Sequence, residues 1–439
     1  MGRRRRRLPA DPVEARITAM SHEGRGIAHH NDRTVFVDFA LPGERVLFRY
    51  TKLRRARADA VAETVLEPAA ERIAPGCAHF GVCGGCALQH LSPEDQRAHK
   101  ERVVLELMER VGGVTPERVL PPLTGSVWGY RRRARLGCKY VEKKGGQLVG
   151  FREKHSPLIT PLQRCPILDP RVGEHLPALA AGIEGLSVPH RIPQVEVACG
   201  DDAVVLVLRH LEPLNDADID VLAALGERYG WSFYLQPGDE STAAPLPTGG
   251  GASLTYRLPE FDVELAFRPT DFVQVNAEIN RYMVSQAVEW LEPAPGRKIL
   301  ELFCGLGNFS LPLARLGAAV TALEGEKGLV ERARSNAAAN GLEARFEVAD
   351  LTRSDAWPVP AAPYDAVLLD PPRTGAAECL EVVARSGASR VVYCSCGPAT
   401  LARDAGILVR EHGFRLTALG IMDMFPHTAH VESFAVFDR

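Results

Sequence analysis

The sequence predicts an α/β protein in three parts: a C-terminal doubly wound, Rossmann-like domain, an N-terminal OB-like β-barrel, and a mainly β segment between them. Three observations carry this. From Lys298 onward, short apolar runs and helical spacing alternate strand–helix–strand. Between residues 13 and 66, five strand-like segments are separated by Gly, Asn-Asp and Pro-Gly turns. From about 124 to 268 the pattern is short alternating strands. The implied boundaries are 8–68, 69–268 and 269–439.

In the first part the strands read as Ala15–Ala19, Gly26–His30, Thr34–Phe39, Arg45–Arg49 and Ala58–Val65, which suits a small barrel of the kind that holds oligonucleotides. A cysteine-rich loop fills 75–90. Residues 92–112 then read as a helix, with Ser92 as N-cap, Pro93 at the first position and Val103, Leu107 and Val111 recurring at helical spacing; it is a candidate to pack on the C-terminal domain. Gln236–Ala252 reads as an exposed loop. Residues 278–292 form a helix with Ile279, Tyr282, Met283, Ala287, Trp290 and Leu291 on one face. Strands follow at Lys298–Phe303, Ala319–Glu324, Ala344–Val348, Ala366–Asp370 and Arg390–Ser395, then near Phe414–Leu419 and Ser433–Phe437.

The chain has 439 residues, 46% hydrophobic and 24% charged, enough for about two to four domains. No apolar run nears the ~18 residues of a membrane span. The start, MGRRRRRLPA, is basic but has no apolar stretch behind it, and Arg6 stands where myristoylation needs Ser or Thr. A cytoplasmic protein without a membrane partner is expected. The net charge of −3 hides an asymmetry: residues 1–58 carry 14 Lys and Arg against six acids, and 100–154 carry 13 against six. A basic first third on an acidic body suits a polyanion partner. Ten cysteines, partly clustered, suit metal binding or nucleophilic chemistry better than a disulfide scaffold.

Four motifs lie near predicted strand ends. In LELFCGLGNFS, an apolar strand ends at Phe303, and Gly305 and Gly307 let a ligand approach backbone at a helix start. One strand later stands Glu324, where an acid can grip ribose hydroxyls; together they favour an adenosine cofactor over an ordinary strand–helix turn. In VLLDPPRTG, two prolines make a stiff turn that holds Asp370 toward the cleft. The similar D-P-P-Y motif of amino-group methyltransferases makes a target base the expected ligand. In YCSCGPATLARD, Cys396 ends a strand just before a helix, a setting that lowers a thiol's pKa, while Cys394 reads as core. In DMFPHTAHVESFAVF, Glu432 begins an apolar strand near His427 and His430; burial there should raise its pKa and suit a proton acceptor.

Two further features lie upstream. CAHFGVCGGCALQH supplies Cys77, Cys83 and Cys86, and QRCPILDP supplies Cys165: four thiolates that suit an iron–sulfur cluster, with zinc as the alternative. Tyr130-Arg131-Arg132-Arg133-Ala134-Arg135 suits phosphate contacts, with Tyr130 available to stack on a base.

Taken together, CAHFGVCGGC with Cys165, DFVQVN, LFCGLGNFS, LLDPPRTG, SCGPATLARD and DMFPHTAHVES resemble the RNA uracil carbon-5 methyltransferases, and within them the branch that modifies bacterial 23S ribosomal RNA and carries an N-terminal TRAM domain. The resemblance runs nearly end to end. It implies a 4Fe–4S cluster on Cys77, Cys83, Cys86 and Cys165, and S-adenosylmethionine contacts from Gln274, Phe303, Asn308, Glu324, Asp350 and Asp370. It makes Cys396 the nucleophile and Glu432 the base, in a monomer acting on 23S ribosomal RNA at uracil-1939. The alternatives are a tRNA substrate, an amino-group methyltransferase, or a non-catalytic RNA-binding assembly factor. Two positions depart from the family pattern: Gly397 stands where Asn is usual, and Glu301 where Asp is common.

Overall fold

The computed structural model describes residues 8–9, 11–353, 357 and 363–439; the arginine run 3–7 lies outside them. The chain divides into two compact units: Met1–Val103 with Arg152–Leu158 and Phe425–His430, and Val104–Phe151 with Ile159–Met424 and Val431–Arg439.

In the first unit, β1 (Val13–Arg16), β2 (Ala19–Met20), β3 (Gly26–His30), β4 (Arg33–Asp38), β5 (Arg45–Leu53) and β6 (Arg57–Glu67) pair in the order β1-β5-β6-β4-β3-β2. The two outermost strands of that ladder are consecutive in the chain, so the chain itself closes the barrel. Ile17 N–H bonds Glu44 O at 2.8 Å and Thr18 N–H bonds Ile27 O at 2.7 Å. The single strand expected over Ala15–Ala19 is therefore two, because Ile17 and Thr18 turn the corner between partners. Asn31 and Asp32, both at positive φ, make the tight β3–β4 turn. Ile17, Val35, Val37, Val46 and Phe48 fill the core. Helix α1 (Pro93–Leu107) opens as its sequence predicts, with Asp95 N–H donating to Ser92 Oγ at 3.1 Å. It ends in a π-helical turn, Met108–Gly112. From Val104 on it belongs to the second unit, where Val104 and Met108 join the core of the large sheet.

The second unit holds two sheets and a hairpin. Beyond β7 (Arg118–Val119) come β8 (Arg133–Val141), β9 (Gly146–Gly150), the short α2 (Pro170–Gly173), α3 (Leu176–Glu184), β10 (Gln194–Cys199), β11 (Val204–Arg209), α4 (Asp216–Tyr229), β12 (Trp231–Gln236) and β13 (Ala244–Pro245). The strands from β8 to β13 pair in the order β13-β12-β11-β10-β8-β9. The expectation of a mainly β middle is corrected here, since α3 and α4 pack in it and α4 joins the parallel pair β11 and β12. The missed signal was local: Asn215 and Asp218 form a reciprocal capping box ahead of buried Ile219 and Leu222. A hairpin, β14 (Leu254–Leu258) and β15 (Val263–Phe267), precedes α5 (Ala277–Leu291).

The large sheet is built from β16 (Lys298–Leu302), α6 (Ser310–Arg315), β17 (Ala319–Glu324), α7 (Lys327–Ala339), β18 (Arg345–Val348), β19 (Ala366–Leu369), α8 (Leu380–Arg385), β20 (Arg390–Ser395), α9 (Pro398–Arg410), β21 (Arg415–Met422) and β22 (Glu432–Asp438). Its order is β18-β17-β16-β19-β20-β22-β21-β7, parallel except for β22, which runs antiparallel between β20 and β21. The order reverses between β16 and β19, the switch point at which such sheets bind ligands. Among the described residues no helix is long and apolar enough to cross a membrane.

Candidate active site

Register places the chemistry. Leu302 pairs with Leu369 and Leu369 with Tyr393, so Phe303, Asp370 and Cys396 lie just beyond the carboxyl ends of three neighbouring parallel strands. Ser395 pairs with Ser433, which sets Cys396 beside Glu432 at the start of β22. Phe303, Asn308, Glu324, Gln274, Asp370, Cys396 and Glu432 all line one cavity of about 470 Å³. Asp350 is not in its lining; its Oδ1 accepts from Thr352 N at 2.9 Å and Thr352 Oγ1 at 2.6 Å.

The glycine turn is shaped to receive a ligand. Phe303, a non-glycine residue, has φ 65°, a left-handed conformation that costs on the order of 1 kcal/mol and tends to mark functional turns. Gly305 has φ 55° with open space where a Cβ would stand, a cradle that a larger residue would fill. Glu324 accepts from Gly305 N at 3.1 Å and Glu326 N at 3.0 Å, tying the next strand's end to this turn. Asn308 faces inward: its Oδ1 accepts from Tyr256 Oη at 2.9 Å and Asn280 Nδ2 at 3.0 Å, and its Nδ2 donates to Asn280 Oδ1 at 2.8 Å. It latches the turn to α5.

The acid–thiol group is strongly desolvated. Burial pushes the Cys396 thiol up to about 11; Glu432 and Asp370 add to this, and the Arg373 guanidinium opposes it. The expected lowering of this pKa is thereby corrected: burial, reinforced by two carboxylates, outweighs the nearby guanidinium and backbone donor. Burial, then Glu432, raises Asp370 to about 8, against a weak hydrogen bond from Gln274 at 3.5 Å. The prolines after Asp370 offer it no backbone donor. Beneath the turn, Glu301 is wholly buried and raised to about 8 by desolvation; Ser310 Oγ donates to its Oε2, and its Oε1 has no partner. Cys394 is core, as read.

Two residues at this site escaped sequence reasoning, Tyr256 and Asn280, and two more, Phe272 in DFVQVN and Arg373 in LLDPPRTG, stand in motifs but were given no role. Phe272 lines the cavity yet is 70% exposed. Asn280 carried a signal, a polar residue amid the apolar face of α5, where it is buried while the expected Tyr282 is exposed.

The Tyr130–Arg135 segment does not present the surface expected of it. Tyr130 is buried and closed to stacking. Arg132 pairs with Asp201, Arg133 donates to Pro269 O, and Arg131 donates to Arg133 O at 3.0 Å and covers the Phe151 ring. Arg135 bridges Glu196 and Glu240 at 2.8 and 3.2 Å. These arginines brace the middle sheet.

In the cysteine loop, Cys83 Sγ accepts from Gly85 N at 3.4 Å, and burial, joined by the Cys77 thiol, raises the Cys83 pKa. The donors have soft-metal chemistry. Among the described residues no three His, Cys, Asp or Glu side chains are gathered as a ligand set.

A doubly wound sheet with one reversed strand, a glycine turn at its switch point, and a thiol and carboxylates facing the same cavity define the class: a nucleotide-cofactor methyltransferase fold equipped for covalent chemistry. A family profile described as tRNA (Uracil-5-)-methyltransferase matches residues 257–356 and 347–439, and a TRAM domain profile matches 9–62. The 23S rRNA (uracil(1939)-C(5))-methyltransferase RlmD of Alkalilimnicola ehrlichii is 60% identical over 441 residues, covering 100% of this chain and 99% of that protein. The protein of the same name from Alcanivorax borkumensis is 49% identical over 444 residues, with coverage of 100% and 99%. The structure of Pyrococcus abyssi tRNA (uracil-54, C5)-methyltransferase in complex with S-adenosyl-L-homocysteine shares the fold at a TM-score of 0.74 and 24% identity, covering 97% of this chain and 100% of that one. This chain belongs to the RNA uracil-C5 methyltransferase family.

Proposed function

We propose that this protein methylates carbon-5 of a uridine in 23S ribosomal RNA, the position that its relatives' names give as uracil-1939, and that it acts as a cytoplasmic monomer. The observation that carries the chemistry is the register that sets Cys396 beside Glu432 at the end of β20. S-adenosylmethionine supplies the methyl group; Phe303, Asn308, Glu324, Gln274 and Asp370 would hold it, with Asp350 assigned by resemblance alone.

Carbon-5 of uracil is a weak nucleophile. Cys396 is protonated at rest; as sulfur bonds to carbon-6 its proton is released to solvent, from which the thiolate freed at the end of the cycle recovers one. The ring's π pair then moves toward O4 and enriches carbon-5, which takes the methyl. Asp370, protonated at neutral pH, can donate a hydrogen bond to O4. Glu432 removes the carbon-5 proton, the π bond re-forms, and the carbon–sulfur bond breaks to free Cys396. The base must leave its stack to reach this cavity.

The same reading divides the chain at 8–68, 69–268 and 269–439 and assigns a 4Fe–4S cluster, with zinc as alternative, to Cys77, Cys83, Cys86 and Cys165. Its support is the thiol donor set and the Gly85 amide on Cys83 Sγ. Such a group would cross-link segments distant in sequence.

The test is labelled methyl transfer to unmodified 23S ribosomal RNA, with the modified base mapped, beside RNA carrying 5-fluorouridine at the target. A covalent protein–RNA adduct is expected, because fluorine replaces the proton Glu432 must remove. An adduct that persists in Cys396→Ser would refute the nucleophile, and label found only in tRNA would refute the substrate.

A further inference from the structure

The cations of the barrel fall into two sets. Arg16 is exposed and Arg45 and Arg49 are half-buried, and all three are matched by acids: Arg16 to Glu67 at 3.0 Å, Arg45 to Glu14 at 2.6 Å and Glu67 at 3.0 Å, and Arg49 to Glu63 at 2.6 Å. Arg25 and Arg72 are more buried and sit on Asp59 and Glu44 at 2.9 and 2.5 Å. Lys52, Arg54, Arg55 and Arg57 differ. All four are exposed at the tip of the β5–β6 hairpin, and among the described residues none of their side chains makes an ion pair.

The tip is ordered. Arg54 N–H donates to Arg57 O at 2.9 Å and Thr34 N–H to Ala56 O at 3.2 Å. The Arg33 guanidinium donates to the carbonyls of Arg54 and Asn31, both at 3.2 Å, and so binds the hairpin to the neighbouring β3–β4 turn. That turn adds exposed His29 and one acid, Asp32. The barrel has acids enough for Arg16, Arg45 and Arg49, so the unmatched charge is local to this end. Four like charges on a short hairpin repel one another, a cost that a polyanion would reverse.

We propose that the β5–β6 hairpin tip is the barrel's contact surface for the phosphate backbone of the substrate RNA, with Lys52, Arg54, Arg55 and Arg57 meeting phosphate oxygens. This rests on the RNA-substrate reading above. Phosphate contacts carry no sequence information, so the tip positions the RNA and leaves selection of the base to the cleft.

The experiment compares the full chain with a variant carrying Lys52→Ala, Arg54→Ala, Arg55→Ala and Arg57→Ala, measuring affinity for unmodified 23S ribosomal RNA against KCl concentration. Each lost phosphate contact removes about 0.7–0.9 from the log–log salt slope, so the loss of four predicts a fall of about three, with affinity roughly 1,000-fold weaker at 0.1 M salt. Single-turnover methyl transfer at saturating RNA should be unchanged. A second variant with the three arginines changed to lysine should keep the wild-type slope, which separates charge from folding. A third, Arg45→Gln with Arg49→Gln, should bind as wild type, because those charges are already matched. An unchanged slope in the alanine variant, or an equal loss in the Arg45 and Arg49 variant, would overturn the surface while methylation by the wild type stands. A wild-type chain that neither binds nor methylates this RNA would overturn both readings.

Discussion

Replacing Glu301 with Gln should make the protein more stable at pH 8 than at pH 5, relative to the unsubstituted chain. In the folded state the Glu301 carboxyl lies fully buried on β16, one oxygen without a partner, and desolvation lifts its pKa from 4.5 to about 8. Between those values the folded chain keeps a proton that the unfolded chain has shed. Stability from this group is therefore undiminished below about pH 4.5 and is lost as pH rises toward 8. At 1.36 kcal/mol per unit, the interval from pH 5 to 8 is worth at most about 4 kcal/mol, and about 2 kcal/mol if the site relaxes. Gln has the same shape, can accept from Ser310, and does not titrate. The gap in Tm between variant and wild type, read by thermal unfolding without cofactor, should widen by roughly 4–10 °C from pH 5 to pH 8. A gap that is constant across pH, or that narrows, would refute the argument.

Glu432→Gln should still form the bond to carbon-6 but release RNA slowly, so a denaturing gel should show a covalent complex on ordinary uridine; normal multiple turnover would remove Glu432 as the base. Asn280→Ala should strand the inward Nδ2 of Asn308, a loss of about 1–3 kcal/mol that loosens the glycine turn. Calorimetry should then show S-adenosylmethionine binding roughly 5- to 30-fold weaker, and wild-type affinity would mean the latch is dispensable. Anaerobically purified protein should carry about four irons per chain. Cys86→Ser should lose them, whereas one zinc per chain in the unsubstituted protein would replace the cluster assignment.

The α/β portion was legible because parallel buried strands read as apolar runs and their chemistry sits at the ends. Ala319–Glu324 and Arg390–Ser395 match their strands residue for residue. The helices of the middle sheet were harder to see, since α3 and α4 lie among short strands of similar apolarity. Motif positions revealed which residues reach the cavity, but not how each is used. Asn308 spends its side chain on Asn280 and Tyr256, and neither partner stands in a motif. The arginines after Tyr130 show a related limit: a basic run in sequence cannot reveal which carboxylates return to it, and Asp201, Glu196 and Glu240 come from elements distant along the chain. The site's members were named from their motifs, but the raised pKa of the Cys396 thiol was missed, because the depth of its burial is set by packing that no local spacing displays.

The reversed strand β22 has a consequence for how catalytic motion is shared. A parallel strand offers the cleft its last residue, with free backbone beyond it. An antiparallel strand offers its first, and Glu432 is laddered to Met422 on one side while the next residue is laddered to Ser395 on the other. Glu432, the proposed base, is thus moored in the sheet, whereas Cys396 stands past the end of β20, where the ladder has stopped. In the proposed reaction sulfur bonds to the ring and leaves it in every turnover, while a proton acceptor needs only to stay in place. The division of labour follows from strand direction: the thiol lies one residue past its ladder, and the carboxylate is set into the weave.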